Sequence, residues 1–99
     1  MIDDTLIHIL GYELRQTCSV CPEQYDVFSG GVKVGYIRLR HGYFQVDIPT
    51  CGGTTVLEVD HVPGADGCFR DRTQRMQYLN EAVCVINEVH SKEQKGDAK

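Results

Sequence analysis

The stretch that decides the fold runs from Val32 to Pro49 and reads VKVGYIRLRHGYFQVDIP. Apolar and polar residues alternate on either side of the dipeptide His41-Gly42, which is placed where a tight turn would join two strands. Successive side chains of a strand point to opposite faces, so the pattern predicts a β-hairpin with one buried face. The residues that fit the buried face are Ile37, Leu39, Phe44, Val46 and Ile48.

The opposite face of this hairpin is too polar for a core and too aromatic for an ordinary solvated surface. Tyrosine rings stack, guanidinium groups bind carboxylates and phosphates, and both residue types are enriched at protein interfaces. We therefore predict a binding surface whose partner is a protein or a second copy of the chain. The alternatives are a nucleotide or other small ligand, and solvated cross-strand pairs without any partner. The predicted binding residues are Tyr36, Arg38, Arg40, Tyr43 and Gln45.

Shorter segments on both sides of the hairpin extend the predicted sheet. Tyr12–Thr17, Gln24–Phe28 and Thr54–Val62 have the alternation and residue types of strands, and turn residues separate them. Ile2–Leu10 is apolar and fits either a short capped helix or an edge strand. Because consecutive strands with short connections pair antiparallel, the sequence predicts a meander of four to five strands.

The last element is predicted to be a helix that begins after Asp71. Asp71 is a favourable N-cap, and Gln74 stands three residues later, as in a capping box. Apolar residues then recur at helical spacing, at Met76, Leu79, Val83 and Ile86. Such a stripe must be buried, and the sheet is the available partner. The predicted fold class is therefore α+β, an antiparallel meander with one C-terminal helix packed on one face.

Length and charge limit the domain organisation and the partners. The chain has 99 residues, which predicts a single domain over residues 1–90 with a flexible polar tail over residues 91–99. The net charge of −4 disfavours bulk nucleic-acid binding, which depends on phosphate neutralisation by Lys and Arg. No stretch reaches the roughly 20 apolar residues of a membrane span. The acidic N-terminus lacks the pattern of a secretory signal, so we expect a cytoplasmic protein that does not bind membranes.

The five cysteines raise the question of a metal site. Cys18 and Cys21 have the CxxC spacing of a zinc knuckle, and Cys51 with Cys68, His61 or His41 would complete four ligands if the fold brought them together. A clean zinc ribbon contains a second CxxC, which this sequence lacks, so ordinary small buried cysteines are the alternative. In a reducing compartment we expect free thiols rather than disulfides. Cys84, in the predicted helix, is expected to be a packing residue.

The sequence favours a binding protein over an enzyme. The GxSxG, Walker-type and HExxH motifs are absent. Asp60, His61 and Asp66 would form a divalent-cation site if they converged, but turns and helix starts are rich in Asp for conformational reasons alone. No cofactor is required by these patterns, and zinc is the one candidate.

A resemblance to other proteins rests on three segments of the chain. They are CPEQYD at Cys21–Asp26, VGYIRLRHGYF at Val34–Phe44 and CGG at Cys51–Gly53. The sequence resembles small bacterial and bacteriophage single-domain proteins of uncharacterised activity. The resemblance lies in the middle of the chain and brings no known site residues. It implies an accessory protein of a phage or mobile element that binds a host protein or a signalling nucleotide.

Overall fold

The alternating segments build six strands that pair in the order of the sequence. The computed structural model describes residues 6–17, 22–50 and 52–97. All neighbouring strands are antiparallel, and one helix, α1, follows the sheet. The elements are β1 (Leu6–Ile9), β2 (Tyr12–Gln16), β3 (Glu23–Ser29), β4 (Val32–Arg40), β5 (Tyr43–Ile48), β6 (Thr54–Val59) and α1 (Arg72–Asp97).

The predicted α+β class is confirmed, but across the described residues the sheet has six strands, not four to five. The additional strand is β1, in the segment for which helix and edge strand were both open. Ile9 lies opposite Tyr12 in the β1–β2 ladder. Leu10 and Gly11 both have positive φ values, 51° and 83°. That conformation is the mark of a type I′ hairpin turn, which reverses the chain at Leu10-Gly11 and pairs β1 with β2.

Helix α1 begins where the capping pattern predicted. The Gln74 backbone N–H donates to Asp71 Oδ1 at 2.8 Å, so Asp71 is the N-cap. The Gln74 side chain does not complete the capping box. Instead, its Oε1 accepts from the Arg70 N–H at 2.8 Å and its Nε2 donates to the Pro63 carbonyl at 2.6 Å. Buried Gln74 thereby fastens the preceding loop to the helix start. The backbone stays helical through Asp97, within the segment expected to be a tail.

The helix packs across one face of the sheet, and the predicted apolar stripes meet there. At Gly35 a Cβ atom would stand 2.7 Å from Ile86 Cδ1, so the absence of a side chain lets the helix approach β4. Ile48, predicted to be buried, is only partly buried against this core. The fully enclosed core residues include Leu14, Val27, Ile37, Leu39, Phe44, Val46, Leu79, Val83 and Ile86.

A buried carboxylate joins the sheet, the loop after β6 and the helix. Glu23, at the start of β3, is 2% exposed. Its two oxygens accept bonds from Arg75 Nε at 2.8 Å and Nη2 at 3.0 Å, from the Tyr25 hydroxyl at 2.7 Å and from the Phe69 N–H at 2.8 Å. Burial raises the pKa of this carboxyl, but the bonds from Arg75, Tyr25 and Phe69 outweigh burial and leave the pKa below its ordinary value.

The antiparallel order gives the molecule two distinct ends. The turns at 10–11 and 30–31 and the β5–β6 connection lie at one end, which we call the upper end. The turn at 41–42 and the loop 60–71 lie at the lower end. Helix α1 starts at the lower end, where Arg75 meets Glu23, and reaches the upper end, where Asn87 accepts a 2.9 Å bond from the Tyr12 hydroxyl.

Arg75→Ala is expected to destabilise the fold by about 3 kcal/mol or more, because it leaves the buried Glu23 carboxylate without its ion-pair partner. Arg72→Ala, one turn earlier and exposed, is the matched control and should change the free energy of unfolding by less than about 0.5 kcal/mol. Urea denaturation followed by circular dichroism measures both values. Equal effects for the two variants would contradict the role given to Glu23.

The lowered pKa of Glu23 also predicts an acid-sensitive contribution to stability. A carboxyl with a depressed folded-state pKa stabilises the fold fully above its unfolded value, near 4.5, and loses that contribution as the pH falls through the folded value. In Glu23→Gln this contribution is absent. The gap in unfolding free energy between wild type and Glu23→Gln should therefore narrow below pH 4.5. If this difference in unfolding free energy stayed constant down to the lowest pH at which both proteins fold, it would refute the lowered pKa of Glu23.

Candidate functional site

The face of the sheet opposite the helix, here called the open face, holds the predicted binding residues together. In the β4–β5 ladder Arg38 lies opposite Gln45, and Arg40 lies opposite Tyr43. Tyr36, on the same side of β4, lies opposite Asp47. The structure therefore places all five predicted residues on one face, while their role in binding stays a prediction.

These five residues differ in what they offer to a partner. Tyr36 is only 8% exposed, so its ring is not available as a stacking platform. Arg38, Tyr43 and Gln45 are half-buried, and Arg40 is exposed. The accessible part of the face is therefore its lower half, around the two arginines and Tyr43.

Asp47 organises the middle of the open face. Its Oδ1 accepts bonds from Gln45 Nε2 at 2.9 Å and from Thr55 Oγ1 at 2.7 Å, and its Oδ2 accepts from the Gly52 N–H at 3.2 Å. Burial raises the pKa of this carboxyl, but these bonds and the nearby Arg38 charge leave it below its ordinary value. Arg38 Nη2 in turn lies 3.4 Å from Gln45 Oε1. A continuous polar row thus fixes side chains across β4, β5 and β6.

Tyr43 is held as a neutral phenol beside a carboxylate. Its hydroxyl donates to Glu58 on β6. This bond, with smaller contributions from desolvation and from the charges of Glu58, Asp60 and Asp47, raises the pKa of Tyr43 to about 12. Carboxylates therefore lie near the Tyr43 hydroxyl, while Arg40 lies opposite the same residue in the ladder.

The cations of the open face are not equally engaged. Arg15 is paired with Glu13, and Lys33 Nζ lies 3.3 Å from Asp26 Oδ2. Arg40, by contrast, makes no side-chain hydrogen bond or ion pair with any residue that the structure describes. Its guanidinium is the group on this face with the most unused bonding capacity.

The expectation of free thiols fails at Cys68 and holds at Cys84. Cys68 is disulfide-bonded, so the expectation is wrong for this residue. The expectation of free thiols depended on an assumed reducing compartment and not on the positions of the cysteines in the fold. Cys18, Cys21 and Cys51 lie outside the described residues. A zinc site from these four cysteines stays a prediction, and it would require Cys68 to be present as a thiolate. Cys84 is free and exposed on α1, not packed in the core.

The acidic residues before the helix do not converge on a cation site. Across residues 6–17, 22–50 and 52–97, no three His, Cys, Asp or Glu side chains are placed to hold one metal ion. Asp66 Oδ1 instead lies 3.7 Å from His41 Nδ1, and their side chains are 87% and 79% exposed. This imidazole–carboxylate pair therefore stands in open solvent and not in a cleft.

Comparison with known proteins returns no relative. No protein family, curated protein or solved structure matches the chain. In the part of the chain that the structure describes, no helix combines the length and hydropathy that a membrane crossing requires. The functional argument therefore rests on the geometry of the open face.

Alkylation of the native protein should show whether Cys68 is in a disulfide or is a zinc ligand. If Cys68 is in a disulfide, iodoacetamide labels it only after reduction, whereas a zinc ligand becomes reactive after chelation without reductant. Exposed Cys84 should be labelled under all conditions and serves as the internal control. Peptide mass spectrometry gives the labelled fraction of each residue. Labelling of Cys68 after chelation alone would support zinc over the disulfide.

Proposed function

We propose that this chain is a non-enzymatic binding module that holds a protein partner on its open face. The observation that carries the proposal is the state of Arg40, an exposed guanidinium without a bonded partner among the described residues. It stands next to Tyr43 on a face that the helix leaves uncovered. Arginine and tyrosine, with tryptophan, are enriched among the residues that carry most of the binding energy of protein interfaces.

The polar row behind these two residues supports a binding role through preorganisation. Bonds to Asp47 fix Gln45 and Thr55, and Gln45 in turn contacts Arg38. Side chains that are already ordered lose less conformational entropy when a partner binds, so more of the contact energy appears as affinity. An unconnected, solvated face would not have this advantage.

The partner that fits this surface presents carboxylates. Arg38 and Arg40 stand two residues apart on one side of β4, which separates their Cα atoms by roughly 7 Å. Planar guanidinium forks bind carboxylates in bidentate fashion. We therefore propose an Asp- or Glu-bearing segment of another protein as the contact that Arg40 makes, with Arg38 beside it.

The same geometry argues against the nucleotide alternative. Tyr36 is too buried to stack a base. Tyr43, the other ring of the predicted set, already donates its hydroxyl to Glu58. A catalytic role for the His41–Asp66 pair has no enclosed site to support it, because both side chains are exposed to water.

Arg38→Ala combined with Arg40→Ala is expected to abolish capture of the partner while leaving the chain folded. Bait made of the purified protein is incubated with extract of its source cells, and captured proteins are identified by mass spectrometry. Arg40 is exposed and unbonded, whereas Arg38 is half-buried and its charge stabilises Asp47, so the double variant should lower the free energy of unfolding by about 1 kcal/mol.

The matched control is Arg70→Ala with Arg72→Ala, which removes the same two charges from exposed positions at the helix start. This control should capture the partner like wild type, and the captured protein should expose an acidic segment whose removal ends binding. Capture that survives in the Arg38/Arg40 variant would contradict the proposal. Stabilisation of the wild type by a nucleotide in a thermal-shift panel, lost in that variant, would favour the nucleotide alternative.

A further inference from the structure

Charged side chains in the lower half of the open face are sorted by strand. Arg38 on β4, Gln45 on β5 and Glu58 on β6 form one cross-strand row. The arginine and the carboxylate of this row stand two strands apart, which separates their Cα atoms by roughly 10 Å. The row therefore begins with a positive charge, ends with a negative one and has an uncharged amide between them.

The next row toward the lower end repeats this order. Arg40 on β4 lies opposite Tyr43 on β5. Val59, the last residue of β6, lies opposite Phe44, so the following residue, Asp60, comes level with Tyr43. Asp60 is also close enough to Tyr43 for its charge to raise the pKa of the phenol. The second row thus runs from a guanidinium through an aromatic ring to a carboxylate.

The two rows give the open face a positive stripe, Arg38 and Arg40, and a parallel negative stripe, Glu58 and Asp60. Within residues 6–17, 22–50 and 52–97, no ion pair joins one stripe to the other. Arg40, Glu58 and Asp60 are exposed to solvent, and Arg38 is half-buried. Both signs of charge are therefore presented at the surface without neutralising each other.

Hydrogen bonds hold the side chains between the stripes in place. Gln45 Nε2 donates to Asp47 at 2.9 Å and to Thr55 at 3.2 Å. The Tyr43 hydroxyl donates to Oε1 of Glu58, and no described residue donates to the other oxygen of that carboxylate. The middle of each row is thus fixed, and it keeps the arginines apart from the carboxylates. The separation of the two signs is built into the face.

We propose that the partner segment is a helix with charges of both signs, Asp or Glu over the positive stripe and Lys or Arg over the negative stripe. The inference rests on the proposed function and adds Glu58 and Asp60 as the residues that select the partner. A segment with acidic residues alone would bring its carboxylates next to these two, and like charges across an interface strongly disfavour binding. On a helix, residues seven positions apart share one face and are separated by about 10 Å along the axis, which fits the spacing of the stripes.

Glu58→Gln combined with Asp60→Asn tests the role of the negative stripe, because it removes two charges and keeps side chains of the same shape. The protein captured by wild-type bait is purified, and its affinity for each variant is measured by isothermal titration calorimetry. The variant should bind about tenfold more weakly, since two exposed ion pairs together contribute about that factor. The contacted helix should contain an acidic and a basic residue seven positions apart.

The matched control is Glu81→Gln with Glu88→Gln, which removes the same two charges from exposed positions of α1. This control should bind like wild type. Circular dichroism confirms that each variant is folded.

The direction of the effect separates this inference from the proposed function. Tighter binding by the Glu58/Asp60 variant would mean that the negative stripe repels a purely acidic partner, and it would overturn this inference alone. Binding equal to that of the control, with capture still lost in the Arg38/Arg40 variant, would do the same. Capture that survives in the Arg38/Arg40 variant, or a wild-type bait that captures nothing, would overturn the proposed function and this inference together.

Discussion

The buried Glu23 carboxylate is the constraint on which the rest of the structure depends. An ionised carboxyl without compensation is too costly to bury, so every group that satisfies it must be held in place. Arg75 from the helix and the Phe69 amide from the loop both meet it at the lower end of β3. The helix is thereby fixed across one face of the sheet. The lower half of the other face stays accessible around Arg38, Arg40 and Tyr43, and the proposed binding function depends on that exposure.

The sequence predicts those parts of the fold that depend on local patterns. The hairpin around His41-Gly42, the buried face of β4 and β5 and the Asp71 cap all follow from residues close together in the chain. The Glu23–Arg75 pair could not be predicted, because its partners are 52 positions apart and neither has a distinctive local context. The strand count was wrong because β1 is short and its turn uses Leu10, a residue that rarely signals a turn.

In the candidate site, too, the features set by local patterns are predictable and those set by contacts between distant residues are not. Period-two alternation correctly predicts that Tyr36, Arg38 and Arg40 share a face, since that depends only on strand geometry. It does not predict how exposed each one is, which is why Tyr36 was overvalued. The bond that Asp47 receives from Thr55 on β6 depends on a register shift between Val46 and Asp47, and a bulge of this kind leaves no reliable mark in a single sequence.

Amide hydrogen exchange measured by NMR tests most directly whether Glu23 holds the loop and helix to the sheet. The account predicts that the Phe69 N–H, which donates to Glu23, exchanges as slowly as the β3 and β4 amides of the core. Both would then open only by global unfolding. Fast exchange of Phe69, on the scale of an ordinary surface loop, would show that the loop opens independently and would contradict the account.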